Sequence, residues 1–336
     1  MADLERRPLP RTRLHASAIG LGTWQLGADW GEVSEDDARG VLQAAVDAGV
    51  TFLDTADVYG DGRSEQIIGR FLADQRAAGH ELVVATKAGR RAPQVPESYS
   101  EANLRAWVER SRRNLGVETL DLVQLHCPPS QVIDDDVTWM TLDRLVEEGL
   151  VGAYGVSVET CDQALSAIGR PGCASVQIIL NAFRLKPLDD VLPAAREAGV
   201  AVIARVPLAS GLLSGRYAAD TTFAPDDHRT FNRDGSAFDV GETFSGVDFA
   251  TGVAAAQEFS ALVREHLGEG VTPAQAAIAW VAQQPGVTTV IPGARNPEQA
   301  RANASGGGLG PLPEAFLDGV RALYDRRLRA AIHPRW

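Results

Sequence analysis

Along this chain, short runs rich in Val, Ile, Leu and Thr alternate with longer stretches whose apolar residues recur at helical spacing. The short runs predict strands at IGLGTW (19–24), TFLDTA (51–56), LVVATK (82–87) and LDLVQLH (120–126). Four more are expected at AYGVSV (153–158), SVQIILN (175–181), AVIARVPL (201–208) and TVIPG (289–293). Helical patterns between them include Ser34–Gly49, Glu101–Gly116, Val137–Gly149 and Pro187–Gly199, each stopping at a glycine suited to a left-handed C-cap. Apolar strands joined by helical crossovers form a parallel sheet covered by helices. The regular repetition favours a single α/β domain, a closed (β/α)8 TIM barrel spanning 1–336, over an open doubly wound sheet. GLGTWQLG is no dinucleotide-binding fingerprint, because Gln25 stands where the third glycine belongs and no helix pattern opens there.

Three stretches fall outside the repeat. Residues 7–18 read as an N-terminal cap or hairpin closing the barrel floor, and 311–336 as a helical tail. Residues 209–271 form a long loop after strand seven, with a polar Gly- and Asp-rich stretch followed by an amphipathic helix near 249–267. A loop of that length on a barrel belongs at the C-terminal mouth, as a lid or binding loop.

Composition narrows the partners. Among 336 residues, 45% are hydrophobic and 23% charged, which suits a globular enzyme. A net charge of −12 argues against nucleic acid or an anionic membrane, although it leaves room for a local basic pocket. The sequence has no run of about 20 apolar residues. The first twenty residues lack an apolar h-region followed by a cleavage site. Three cysteines (Cys127, Cys161, Cys173) with no CxxC pair make a disulfide framework or zinc site a poor reading, and a cytoplasmic setting is expected.

Asp54, Lys87 and His126 stand at or near the ends of the second, third and fourth predicted strands, with Tyr59 five residues beyond Asp54. Barrel geometry brings consecutive strand ends to one mouth, so these groups can converge. A tyrosine is a poor acid or base at neutral pH. A nearby lysine ammonium lowers its pKa, an aspartate keeps that lysine charged, and a histidine can position a carbonyl oxygen. Singly, each also fits a structural part: a turn cap, a solvated strand end, a loop aromatic, a hydrogen-bonded strand-end imidazole. Their joint placement favours the chemical reading, and one histidine with one carboxylate is a weak metal site.

FLDTADVYGDGRSEQIIG, VVATKAG and LVQLHCP are similar to the corresponding motifs of the aldo-keto reductase family. The likeness continues through GVS (155–157), QIILN (177–181), VPLASGLLSGRY (206–217) and IPGARNPEQARAN (291–303), in the branch that includes bacterial reductases and potassium-channel β subunits. The resemblance implies a (β/α)8 barrel that uses NAD(P)H without a Rossmann domain and reduces an aldehyde or ketone. It implies Tyr59 as proton donor, Lys87 and Asp54 tuning it, and His126 orienting the substrate.

After the eighth predicted strand, Asn296 at N-cap, Pro297 at N1 and Gln299 at N3 form a helix-start signature. Such a terminus suits a phosphate, though it also serves as a plain helix cap. By resemblance, Gly293, Arg295, Gln299 and Asn303 contact the adenosine half of the cofactor, and Ser157 and Gln177 hold the nicotinamide carboxamide. Thr23, Trp24 and Asp54 also reach the cofactor. Arg205, Val206, Pro207, Leu208, Ala209 and Ser210 run along the nicotinamide and pyrophosphate, with Arg216 and Arg229 as further cations. Three positions depart from the common family pattern. Arg205 replaces an aromatic stacking residue, although a planar guanidinium also stacks. Gly293-Ala294 replaces a Lys-Ser pair, and Gln299 replaces the arginine for the 2′-phosphate. Arg295, Arg216 and Arg229 supply positive charge instead, so NADPH is expected, with NADH as the alternative.

Trp24 and Trp30 are expected near the mouth, as pocket walls or as packing. The expected partner is a small-molecule carbonyl, its identity open. The rival functional class is a cofactor-binding, redox-sensing regulatory subunit with little turnover, and an isomerase or dehydratase would leave the strand-eight signature unexplained.

Overall fold

A computed structural model describes residues 4–27, 33–233, 235, 237 and 241–336. Trp30 lies outside the described residues. The chain opens with an antiparallel hairpin of β1 (Arg6–Pro8) and β2 (His15–Ser17), as expected from 7–18. Eight parallel strands follow: β3 (Leu21–Gly22), β4 (Phe52–Asp54), β5 (Val83–Ala88) and β6 (Leu122–His126), then β7 (Tyr154–Ser157), β8 (Cys173–Ile179), β9 (Ala201–Arg205) and β10 (Val287–Val290). Each pairs with its sequence neighbour, and bridges Ile19–Val290 and Gly22–Gly293 join the two ends, closing the barrel.

Helices cover the outside. They are α1 (Glu35–Asp47), α2 (Arg63–Ala77), α3 (Glu101–Leu115), α4 (Ser130–Asp134), α5 (Asp136–Glu147), α6 (Cys161–Ile168) and α7 (Val191–Ala198). Between β9 and β10 lie α8 (His228–Phe231), α9 (Phe249–Leu267) and α10 (Pro273–Ala282). After β10 come α11 (Pro297–Ser305), α12 (Glu314–Arg327) and α13 (Arg329–Ile332). Their ends follow local chemistry. Thr160–Gln163 and Thr272–Gln275 form capping boxes at α6 and α10, and Gly116 and Gly199 end α3 and α7 in the left-handed region. No described helix is long and apolar enough to cross a membrane.

The period of two along each strand sorts the barrel interior into layers. Phe52, Ala85, Leu122, Ala201 and Ile203 pack with Leu9 and Ala16 of the hairpin as an apolar floor. Two residues further on, β4, β5 and β6 present Asp54, Lys87 and Gln124, so the floor supports a polar layer above it.

Several boundaries differ from the sequence reading. Six of the eight barrel strands end one to several residues early, while β5 runs one residue further and β6 ends at His126 as expected. Strand β9 stops at Arg205, and Val206 already has φ of 55°. The last strand runs Val287–Val290 and not 289–293, because Gly286 releases the chain before it and Pro292 has no N–H for the ladder. Pro187 sits in a separate 3-10 turn (Lys186–Leu188), and α7 starts only at Val191.

Candidate active site

Strand ends bring the four expected side chains together in a cavity of about 760 Å³ at the C-terminal mouth. Lys87 Nζ donates to Asp54 Oδ2 at 2.5 Å and to the Thr55 carbonyl at 3.0 Å, and approaches the Tyr59 hydroxyl at 3.4 Å. Asp54 and Lys87 are 3% and 2% exposed, so this pair is desolvated. Gln177 Nε2 donates to Asp54 Oδ1 at 2.7 Å, tying the adjacent polar layer to the same carboxylate. Tyr59 begins a 3-10 turn whose next residue, Gly60, has φ of 57°; a Cβ there would lie 2.1 Å from the Gly27 carbonyl oxygen. Only glycine allows that approach, and it fixes where Tyr59 enters the cavity. The Tyr59 ring meets His126 edge-on, with centroids 6.0 Å apart, and stacks beside Trp24 at 6.1 Å.

Electrostatics correct one expectation. Burial pushes the Tyr59 phenol above its ordinary pKa, and the Lys87 ammonium pulls it down without cancelling the shift. The net effect favours the neutral phenol. Burial would lower Lys87, but Asp54 and then Tyr59 hold its pKa up, so the ammonium stays charged. His126 lies well below its ordinary value, from burial first and then the cations Arg90, Lys87 and Arg205. A neutral imidazole still donates one N–H.

The other expected residues also face this cavity. Thr23, Trp24, Ser157, Gln177, Arg205, Val206, Pro207, Leu208 and Ser210 line one part of it. Arg216, Arg229, Gly293, Arg295, Gln299 and Asn303 line the remainder. Ala209 is the exception: its φ of 47° accompanies a side chain fully buried in the core. At α11, Asn296 accepts from Gln299 N at 2.8 Å, as the cap signature requires. Gln299 Oε1 accepts from Arg295 N at 2.9 Å, and Asn303 Nδ2 donates to the Gly293 carbonyl at 3.0 Å. Arg295 Nη2 lies 3.9 Å from Asp227 and not against Glu298. Asp227 also binds Arg229 through both carboxylate oxygens.

Other lining residues escaped the sequence reading. Cys127 directly follows His126 and was open to the same strand-end logic. Gln25, Arg90 and Tyr217 had no distinguishing pattern. His228 and Glu242 come from the long insertion, whose composition gives no register against the barrel. Glu242 forms an ion pair with Arg205, and His228 lies beside Trp24 with ring centroids 5.7 Å apart. Among the described residues, no three His, Cys, Asp or Glu side chains gather as a metal site.

Known proteins share this arrangement of chain. The glycerol dehydrogenase of Gluconobacter oxydans is 31% identical, with a TM-score of 0.79 and coverage of 100% of this chain and 99% of that one. An aldo-keto reductase of Klebsiella pneumoniae, solved in complex with NADP and acetate, is 25% identical with a TM-score of 0.68, covering 93% of each chain. A probable voltage-gated potassium channel subunit beta of Oryza sativa subsp. japonica is 28% identical over 96% of this chain and 98% of its own. The family model described as the aldo/keto reductase family matches residues 18–325. With a match of that extent and a barrel of this topology, the chain belongs to the aldo/keto reductase family.

Proposed function

We propose that this protein reduces an aldehyde or ketone to its alcohol with NADPH, Tyr59 delivering the proton to the carbonyl oxygen. The observation that carries this reading is the buried Asp54–Lys87 pair set 3.4 Å from a neutral Tyr59 hydroxyl inside the cavity. As negative charge develops on the carbonyl oxygen, Tyr59 gives up its proton, and the Lys87 ammonium stabilises the phenolate left behind. Asp54 keeps Lys87 charged and aimed. Neutral His126 orients the carbonyl oxygen through its N–H. When bound, the reduced nicotinamide supplies the hydride.

The donor set fits that cofactor. Ser157 and Gln177 present hydroxyl and amide groups beside the tetrad. Arg216, Arg229 and Arg295 offer cations for phosphates, next to the capped start of α11. Arg205 pairs with Glu242, and its planar guanidinium is suited to stacking on a nicotinamide ring. The NADP complex of the Klebsiella relative supports NADPH over NADH, and the glycerol dehydrogenase supports a small hydroxylated substrate.

Oxidation of NADPH and NADH against a panel of small carbonyls tests the reading. Steady NADPH turnover is expected. The rice relative's name favours a second reading, a cofactor-binding regulatory subunit, and tight NADPH binding without turnover on any carbonyl would establish that one instead.

A further inference from the structure

We propose that Glu242 is a specificity-determining residue that makes the substrate chamber select neutral, hydroxyl-bearing carbonyls and reject anionic ones. This deepens the reductase reading and rests on it.

A network of loop contacts holds Glu242 at the chamber wall. Ser210 Oγ donates to the Glu242 carbonyl at 2.7 Å, and Phe244 N donates back to Ser210 Oγ at 3.1 Å. One serine of the β9 loop therefore clamps the backbone of the insertion on both sides of residue 243. Asn181, fully buried at the end of β8, donates through Nδ2 to the Val206 carbonyl and to Ser245 Oγ, both at 2.9 Å, locking the two loops together. The carboxylate that emerges from this clamp binds Arg205. Its side chain is 16% exposed and lines the same cavity as Tyr59 and His126.

Three cations in or beside the tetrad are paired. Lys87 is matched by Asp54, Arg205 by Glu242, and Arg90 by Glu159 at 3.2 Å. An anionic substrate beside Arg205 has to compete with a fixed carboxylate in a partly desolvated space. A hydroxyl beside the carbonyl meets the opposite situation, because it can donate to a carboxylate. The charge of Glu242 also reaches Tyr59, where it favours the neutral, proton-donating phenol.

Glycolaldehyde and glyoxylate test this cleanly, since they differ only by hydroxymethyl against carboxylate on the same aldehyde. Each is reduced by hydride at the aldehyde carbon and a proton at its oxygen. Wild type is expected to prefer glycolaldehyde in kcat/KM. Glu242→Gln keeps the side-chain shape and removes the negative charge that faces Arg205. It should shift the glyoxylate-to-glycolaldehyde ratio of kcat/KM by about tenfold or more, the range of a charge-assisted bond. Glu242→Asp, which retains the charge, should keep the wild-type order. Binding of glycolate to the NADPH complex, followed by cofactor fluorescence, gives a readout independent of turnover. Glycolate should bind the Gln variant at least about tenfold tighter than wild type. Turnover with an unchanged ratio and equal glycolate affinity would overturn the inference while leaving the reductase reading intact. No turnover of either aldehyde by wild type would overturn the reductase reading, and the glycolate comparison would then decide the charge assignment alone.

Discussion

Asp57 stands between Asp54 and Tyr59, with both carboxylate oxygens buried and without a hydrogen-bond partner. Burial, reinforced by Glu65, pushes its pKa to about 7, while Arg91 and Arg110 oppose the shift. A carboxyl whose folded pKa lies above its unfolded value costs nothing while protonated in both states. It lowers stability as pH rises from about 4 to about 7 and the loss then levels off, at most about 4 kcal/mol at about 1.4 kcal/mol per unit. Asp57→Asn should therefore raise Tm by several degrees at pH 8 and by little at pH 4. Melts showing the same change at both values would contradict that assignment. The residues legible from sequence share one property: Asp54, Lys87 and His126 sit at strand ends, where barrel topology alone dictates convergence. Asp57 was hidden because its partners come from the packing of other helices. Glu242 and His228 were hidden because nothing local specifies how a long polar loop folds back. At Tyr59, the sequence anticipates the downward pull of Lys87 but not the larger upward effect of burial, because desolvation is a property of the assembled cavity.

Helix ends carry local signals, legible at Asn296-Pro297 and Gly116 but not at the start of α7, where Pro187 belongs to a separate turn. Most strand ends carry none, because they are set by what the chain does next. The residues after β9 take unusual backbone angles, with positive φ at Val206, Ala209 and Ser210, a conformation that costs non-glycine residues about 1–3 kcal/mol each. Surrounding bonds must hold that loop in place, and Asn181 supplies two of them. Asn181→Ala leaves the Val206 carbonyl and Ser245 hydroxyl without this partner and opens a small void. The expected loss is about 2–4 kcal/mol in chemical denaturation, with weaker NADPH binding. A variant as stable as wild type, with unaltered NADPH affinity, would show that the loop holds its shape without Asn181.

At the scale of the whole molecule, hairpin, floor and polar layer divide the barrel into a stabilising end and a chemical end, and the cavity runs from the tetrad to α11. Arg295 should distinguish the cofactors at the far end of that cavity. Its side chain is half exposed and lies near Asp227, so its contribution belongs at the lower end of the range for a charge-assisted bond. Arg295→Ala should weaken NADPH binding by about tenfold and leave NADH binding unchanged; equal effects on both would remove Arg295 from the 2′-phosphate. The central claim is that Tyr59 is the proton donor within a preformed cofactor cavity. The direct measurement is kcat for carbonyl reduction together with the NADPH Kd in Tyr59→Phe, which removes only the hydroxyl. The account expects kcat to fall by about 10²–10⁴-fold while Kd stays within a factor of two or three of wild type. A variant that keeps more than about half of the wild-type kcat, against that expected loss, would contradict it.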